Sequence, residues 1–396
     1  MYSFTVKLFV KLWQCDTWVI YLGGCLPGGL FNGNWSLFGR YRRGENPENS
    51  TWPARPSEAQ IHSRTPSVRG TKTAWPLVGS SQLRHVAKEQ QAKSRLSLKH
   101  DELRNKNQHI PMIPDHGNLY MSNVGTYRLR DPELTKLIVS SALRLGYKLI
   151  DTASGYKNEE VIGKCLKEEL SKGNRRREDV FITSKLGPAQ HGRQQARATL
   201  TKSLSDLQTT YLDLYLIHWP GCSGLQPNDP RNSILRKESW LEMEEMYKEG
   251  KIKAIGVSNY TIAHLEELLS YCSIPPAVLQ VEIHPFLCQK ELRKFCNQHD
   301  IHVQAYSSLG ASAGCVELMS NEEVQDIAKY LSKSPSQVLL RWAIQHSISI
   351  IPKTSRVDRL EENANIFDFS LSDNDMKRLD DLDRDCHYCW DPKLIL

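Results

Sequence analysis

No glycine-rich G-x-G-x-x-G turn occurs anywhere in the chain, and no G-x-x-x-x-G-K-[ST] phosphate loop. The absence argues against an open doubly wound sheet that cradles a dinucleotide at its first turn, and against a P-loop nucleotidase. Cysteine is sparse: ten scattered residues in 396 are too few for a disulfide scaffold and suit a reducing compartment. No long apolar run exists either. Thr17 to Gly39 is uncharged, but six glycines and Pro27 interrupt it, so it reads as neither a membrane span nor a compact signal peptide. An excess of charge of one sign is missing from most of the chain. The formal net charge of +6 comes from residues 1–108, which carry 16 Lys and Arg against 7 Asp and Glu. The remainder is nearly neutral, which excludes a basic nucleic-acid-binding body. With 40% hydrophobic and 24% charged residues, the composition is that of a soluble globular protein.

Residues 1–108 differ from the rest of the chain. They hold Trp13, Trp18, Trp35, Trp52 and Trp75, five of the nine tryptophans, and Gly and Pro interrupt every candidate helix. Positions 41–108 are rich in Arg, Lys, Ser, Gln and Pro, the composition of a disordered lead. The expectation is a disordered N-terminal extension over 1–108 and one folded domain over 109–396.

After residue 110 short apolar runs alternate with amphipathic stretches. The stretch before Gly125-Thr126, KLID, DVFITSK, YLDLYLIH, KAIGVS, AVLQVE, HVQAYS and SISIIPK read as eight strands. Helical periodicity covers 132–145, 158–170 (with Asn158 as N-cap), 192–208, 237–249, 260–271, 288–299, 321–331, 336–346 and 356–364. Eight βα units over this length predict an α/β fold, a (β/α)8 TIM barrel.

Active sites of such barrels lie at the C-terminal strand ends. There KLID delivers Asp151, with Tyr156 five residues on. DVFITSK delivers Lys185, and YLDLYLIH delivers His218. A phenol of ordinary pKa near 10 is a poor proton donor or acceptor at neutral pH, and a nearby Lys cation is expected to lower that pKa. A carboxylate keeps the Lys charged, and a His can orient a carbonyl oxygen. Together they suit protonation of an alkoxide as hydride reaches carbon.

These segments resemble the aldo-keto reductases. The likeness rests on Asp151-Thr152-Ala153, Tyr156-Lys157-Asn158-Glu159, Ile182-Thr183-Ser184-Lys185, His218-Trp219-Pro220, Gly256-Val257-Ser258-Asn259, Gln280-Val281-Glu282, Ala305-Tyr306-Ser307-Ser308-Leu309-Gly310 and Ile351-Pro352-Lys353-Thr354. It runs from about residue 122 to Pro392, and implies a hairpin ahead of the first strand. The resemblance implies an NADP-dependent oxidoreductase that reduces aldehydes and ketones to alcohols. Its catalytic tetrad would be Asp151, Tyr156, Lys185 and His218, with Tyr156 as general acid and with Tyr156, His218 and Trp219 facing substrate. NADPH would be held by Gly125, Thr126, Tyr127, Asp151, Ser258, Asn259, Gln280, Tyr306, Ser307, Leu309, Lys353, Thr354, Arg359, Glu362 and Asn363. Lys353 and Arg359 would grip the 2′-phosphate. The first strand departs from the family pattern, because Asn123-Val124-Gly125-Thr126 keeps only the second glycine. His218 has not become Glu, which favours carbonyl over double-bond reduction. The single C-x-x-C at Cys386 and Cys389 lacks partners for zinc, so no metal is expected. Substrate choice falls to residues 221–238, 311–320 and the tail from Cys386. The short 311–320 loop implies an open mouth and small or varied aldehydes. The expected protein is cytoplasmic and monomeric, and binds a small aldehyde or ketone but neither nucleic acid nor membrane. The other function that the family allows is cofactor binding without turnover, as in crystallin-like or channel-subunit-like members.

Overall fold

A computed structural model describes residues 7–10, 18–23, 37–39 and 123–396. In the first of two compact units, within Met1–Leu77, the strands Lys7–Val10, Trp18–Gly23 and Leu37–Gly39 form an antiparallel sheet. The sequence reading placed no strand there. The rest of the expected extension, and the hairpin ahead of the first barrel strand, lie outside the described residues.

Residues 123–396 carry eight parallel strands: β1 (Asn123–Gly125), β2 (Leu149–Asp151), β3 (Phe181–Leu186), β4 (Leu214–Ile217), β5 (Ile255–Ser258), β6 (Val278–Glu282), β7 (His302–Tyr306) and β8 (Ser349–Ile350). Each pairs with the next in chain order. The sheet closes on itself where Gly125 bridges Lys353 and its N–H donates to the Pro352 carbonyl at 3.1 Å. Asn123, the residue that breaks the family pattern, reinforces this seam: its side-chain amide donates to the Ile350 carbonyl at 3.0 Å. A Cβ at position 125 would sit 2.8 Å from the Ile351 carbonyl oxygen, so only glycine lets the two strands approach.

The intervening helices are α1 (Pro132–Arg144), α2 (Glu159–Ser171), α3 (Arg193–Asp206), α4 (Arg231–Lys248), α5 (Ile262–Tyr271), α6 (Lys290–Gln298), α7 (Ala311–Met319), α8 (Glu322–Leu331), α9 (Pro335–Gln345), α10 (Asp358–Ala364) and α11 (Asp373–Asp380). Local chemistry sets their ends. Asp131 accepts from the Leu134 N–H ahead of Pro132, and Ser334 with Gln337 forms a reciprocal capping pair.

Three details differ from the sequence reading. Helix α4 starts six residues earlier than expected, because its first turn is polar or exposed (Ile234 faces solvent) and shows no apolar period. Residues 311–319 form a helix rather than a loop; their small side chains carry little helical signal. Helix α11 was not anticipated, although its Ser372–Asp375 capping pair marks its start.

Alternate strand residues point to opposite sides. Leu149, Phe181, Leu214, Leu216, Ala254, Val278 and Ile351 fill the barrel interior. Ile150, Ile182, Tyr215, Ile217, Ile255, Val257, Leu279, Val281, Val303 and Ala305 join the larger core beneath the helices. Among the described residues, no helix is long and apolar enough to cross a membrane.

Candidate active site

The interior side of each strand, followed past its apolar residues, ends in polar groups. On β2, Leu149 leads to Asp151; on β3, Phe181 and Thr183 lead to Lys185. On β4, Leu214 and Leu216 lead to His218, and on β5 Ala254 and Gly256 lead to Ser258. On β6, Val278 leads to Gln280 and Glu282, and on β7 His302 and Gln304 lead to Tyr306. The period of two that buries the apolar side chains therefore carries these groups to one rim.

Asp151 and Lys185 are both buried there, with Lys185 Nζ 2.5 Å from Asp151 Oδ1 and 2.9 Å from the Thr152 carbonyl. Tyr156 stands on a one-turn 3-10 helix, Ser154–Tyr156, which Ser154 Oγ ties to the Lys185 carbonyl at 2.9 Å. Its hydroxyl lies 3.4 Å from Lys185 Nζ and 3.5 Å from His218 Nε2. Asn158 does not cap α2 with its side chain. It braces the turn instead, donating to the Thr126 and Leu129 carbonyls and accepting from Thr152 Oγ1.

Burial, helped by the Asp151 charge, pushes the Tyr156 phenol well above its ordinary value, against the expected lowering by Lys185. Desolvation outweighs a cation already paired with a carboxylate. Burial also lowers Lys185, while Asp151 opposes that shift. Burial and the Lys185 charge push His218 down to about 3. At neutral pH the rim therefore holds a protonated phenol and a neutral imidazole.

A second set adjoins the first. Gln280 Nε2 donates to Asp151 Oδ2 at 2.8 Å and to Gln304 Oε1 at 2.7 Å, which leaves its side-chain carbonyl oxygen as the acceptor for an incoming N–H. Ser258 Oγ donates to the Gln280 carbonyl at 2.8 Å, Asn259 Nδ2 to the His218 carbonyl at 2.9 Å, and Tyr306 Oη to Asn259 Oδ1 at 2.6 Å. Thr126 is turned to structure: its N–H and hydroxyl both donate to the Asp151 carbonyl, at 3.0 and 2.9 Å.

The segment after β8 sits beside Gly125. Lys353 and Arg359 are exposed and have no carboxylate partner among the described residues, whereas Arg356 is paired with Asp358. Two unpaired cations on one short segment suit an anion. Thr354 and Asn363 are buried, and Thr354 Oγ1 accepts from the Arg356 N–H at 3.0 Å. Glu362 accepts from Ser334 Oγ. Ser307 Oγ is 3.4 Å from Cys389 Sγ, and Leu309 packs on the core.

Arg128 was missed by the sequence reading. It has a φ of 62° and reaches Ser312 Oγ at 3.2 Å; partial desolvation of the otherwise exposed Lys353, and then the Arg128 charge, lower the Lys353 pKa. A third cation thus faces the same segment. Only its position directly after Thr126-Tyr127 could have signalled it.

At the mouth, the Tyr127 ring lies 5.1 Å from Tyr156 and 6.3 Å, edge-on, from Trp390. Trp219 is half-buried, its carbonyl held by His191 Nε2 at 2.9 Å.

Comparison with known proteins agrees with this architecture. The model of the aldo/keto reductase family matches residues 121–384. The chain is 43% identical over 262 residues to a glyoxal reductase of Bacillus subtilis (strain 168), covering 66% of this chain and 88% of that protein. It is 39% identical over 295 residues to aldose reductase B of Dictyostelium discoideum, covering 71% and 91%. Among solved structures, an aldo-keto reductase complexed with NADPH superposes with a TM-score of 0.63 at 33% identity, covering 68% of this chain and 85% of that one. The aldose reductase from Schistosoma japonicum gives 0.60 at 35% identity, covering 66% and 88%. With its closed eight-stranded barrel and its polar rim, the chain belongs to the aldo/keto reductase family of oxidoreductases.

Proposed function

We propose that this protein reduces aldehydes and ketones to alcohols with NADPH. The observation that carries the reading is the placing of one protonated phenol, Tyr156, within 3.5 Å of both a lysine ammonium and a neutral imidazole. NADPH, when bound, supplies hydride to the carbonyl carbon. The side chains manage the oxygen. His218, neutral at working pH, donates a hydrogen bond that orients the carbonyl, and Tyr156 transfers its proton to the developing alkoxide. Lys185 stabilises the tyrosinate left behind, and Asp151 keeps Lys185 charged and in place.

The free carbonyl oxygen of Gln280 and the Ser258–Asn259 pair suit a carboxamide, and Tyr306 offers it a ring face. We assign Gly125, Tyr127, Ser307 and Leu309 to the middle of the cofactor, and Lys353, Thr354, Arg359, Glu362 and Asn363 to its adenosine end; the bridge between Gly125 and Lys353 supports this order. Unpaired Lys353 and Arg359 favour a ribose bearing a 2′-phosphate, and hence NADPH over NADH. We place the functional domain at residues 109–396.

A panel of aldehydes, scored by the loss of NADPH absorbance, tests the reading. Steady turnover with at least one member is expected. Tight NADPH binding without oxidation across the panel would instead indicate a cofactor-binding protein.

A further inference from the structure

Glu282 is the last in-facing residue of β6, two positions beyond Gln280, and it is buried. The assigned chemistry makes no use of it. Its carboxylate is turned to the C-terminal tail: Oε1 accepts from the Tyr388 N–H at 3.0 Å and Oε2 from the Cys389 N–H at 3.0 Å. His284 Nε2 adds a contact to Oε1 at 3.2 Å, and His387 Nδ1 stands 3.7 Å from Oε2. Burial alone would raise this carboxyl. The His284 hydrogen bond, the nearby His387 imidazole and the Cys389 N–H reverse the shift and hold it at about 2, so the anchor is charged throughout the working range.

The neighbouring contacts orient the same segment. The Tyr388 ring lies against Gly314 of α7, where a Cβ would come within 2.1 Å of the ring, and its hydroxyl donates to Glu317 Oε2 at 2.8 Å. The far end of the tail is also pinned: the Leu396 N–H donates to the Pro227 carbonyl at 2.8 Å, and the Ile395 carbonyl meets His264 Nε2 at 2.9 Å. Between the two anchors stands Trp390, 58% exposed, edge-on to Tyr127, which in turn covers Tyr156.

We infer that Glu282 is a positioning residue: by holding the Tyr388 and Cys389 N–H groups it fixes Trp390 against Tyr127, and this aromatic wall selects carbonyl compounds bearing an apolar ring over two- and three-carbon dicarbonyls. The inference rests on the carbonyl-reductase reading for its substrate half. Its anchoring half stands on geometry alone.

The test compares kcat/KM for 4-nitrobenzaldehyde and methylglyoxal in the full chain, Glu282→Gln, Trp390→Ala, the double variant and Cys389→Pro. Cys389→Pro deletes the tail N–H that meets Oε2 and leaves the Glu282 carboxylate in place, at the cost of the Cys389 Sγ contact with Ser307 Oγ, so it serves if Glu282→Gln fails to fold. Removing the Trp390 ring is expected to lower the aromatic-to-dicarbonyl ratio about tenfold, chiefly through KM for the aromatic aldehyde. Glu282→Gln and Cys389→Pro are expected to lower it about fivefold. The double variant should fall no further than Trp390→Ala, since both changes act through one ring.

Amide hydrogen exchange gives an independent readout: Tyr388 and Cys389 should exchange about tenfold faster or more in Glu282→Gln. An unchanged ratio in both Glu282→Gln and Cys389→Pro, or a double variant that loses the product of the two single effects, overturns the selection. Unchanged exchange at 388–389 overturns the anchor. A parent protein that reduces neither aldehyde overturns the functional reading and the selection with it, while exchange still decides the anchor.

Discussion

Lys185 Nζ lies closer to Asp151 Oδ1, at 2.5 Å, than to Tyr156 Oη, at 3.4 Å. The cation is shared unequally, and the carboxylate takes the larger part. Asp151 is itself held through Oδ2 by Gln280, so the pair cannot turn to serve the phenol more fully. The phenol therefore keeps its proton, the form a general acid needs.

A flat pH profile is the direct consequence. Tyr156, raised well above 10, stays protonated across neutral pH, and His218, near 3, stays neutral. We expect kcat/KM for reduction to be flat from about pH 6 to 9, because neither group changes charge in that window. An inflection near the ordinary histidine value would show that His218 titrates in the free enzyme and would contradict its assigned state.

Replacing Lys353 and Arg359 together by Met should cut the preference for NADPH over NADH by about 10–100-fold, since two charge-assisted contacts to one phosphate are lost. Binding titrations with both nucleotides, followed by quenching of tryptophan fluorescence, check this. Equal affinity in the parent protein would show that the segment does not read a 2′-phosphate.

Folding stability should fall with acid before the carboxylates titrate. His191, His218 and His264 are held neutral by burial, at about 4, 3 and 4 against an ordinary 6.5. Their folded values are depressed. The unfolded chain therefore takes up protons that the folded chain refuses, and stability present above pH 6.5 is lost as pH falls toward 4. His387, raised by the neighbouring Glu282 carboxylate, opposes this with one proton. The melting temperature should drop steadily from pH 7 to 4.5. A flat profile would mean that these rings are protonated in the fold.

A chain beginning at His109 should fold and turn over like the full chain, because every group assigned here lies beyond residue 122. Circular dichroism and the aldehyde assay check it. Loss of soluble folding would move the domain boundary toward the N-terminus.

Much of this was legible in the sequence. Short apolar runs ahead of Asp151, Lys185 and His218 announced both the strands and the rim, since burial on both faces makes such runs continuous and a terminal charge can only emerge at the mouth. Less was legible where one residue serves a distant partner. Asn123 reads as a lost glycine, yet it bonds Ile350 across the closing seam. Asn158 reads as a helix cap, yet it braces the loop after β1. Residues 311–319 lack an apolar period because Gly314 must leave room for Tyr388, 74 positions away. The Tyr156 pKa was misjudged because the spacing of residues reveals the neighbouring cation but not how much of it Asp151 claims.

The most direct measurement of the central claim is single-turnover reduction of an aldehyde by NADPH-loaded parent and Tyr156→Phe protein. The phenylalanine keeps the ring and its contact with Tyr127 but has no proton to give. Its turnover should be slower by about 10²–10⁴-fold, the usual worth of a general acid, with NADPH affinity nearly unchanged. A Tyr156→Phe protein that reduces the aldehyde at the parent rate would contradict the account.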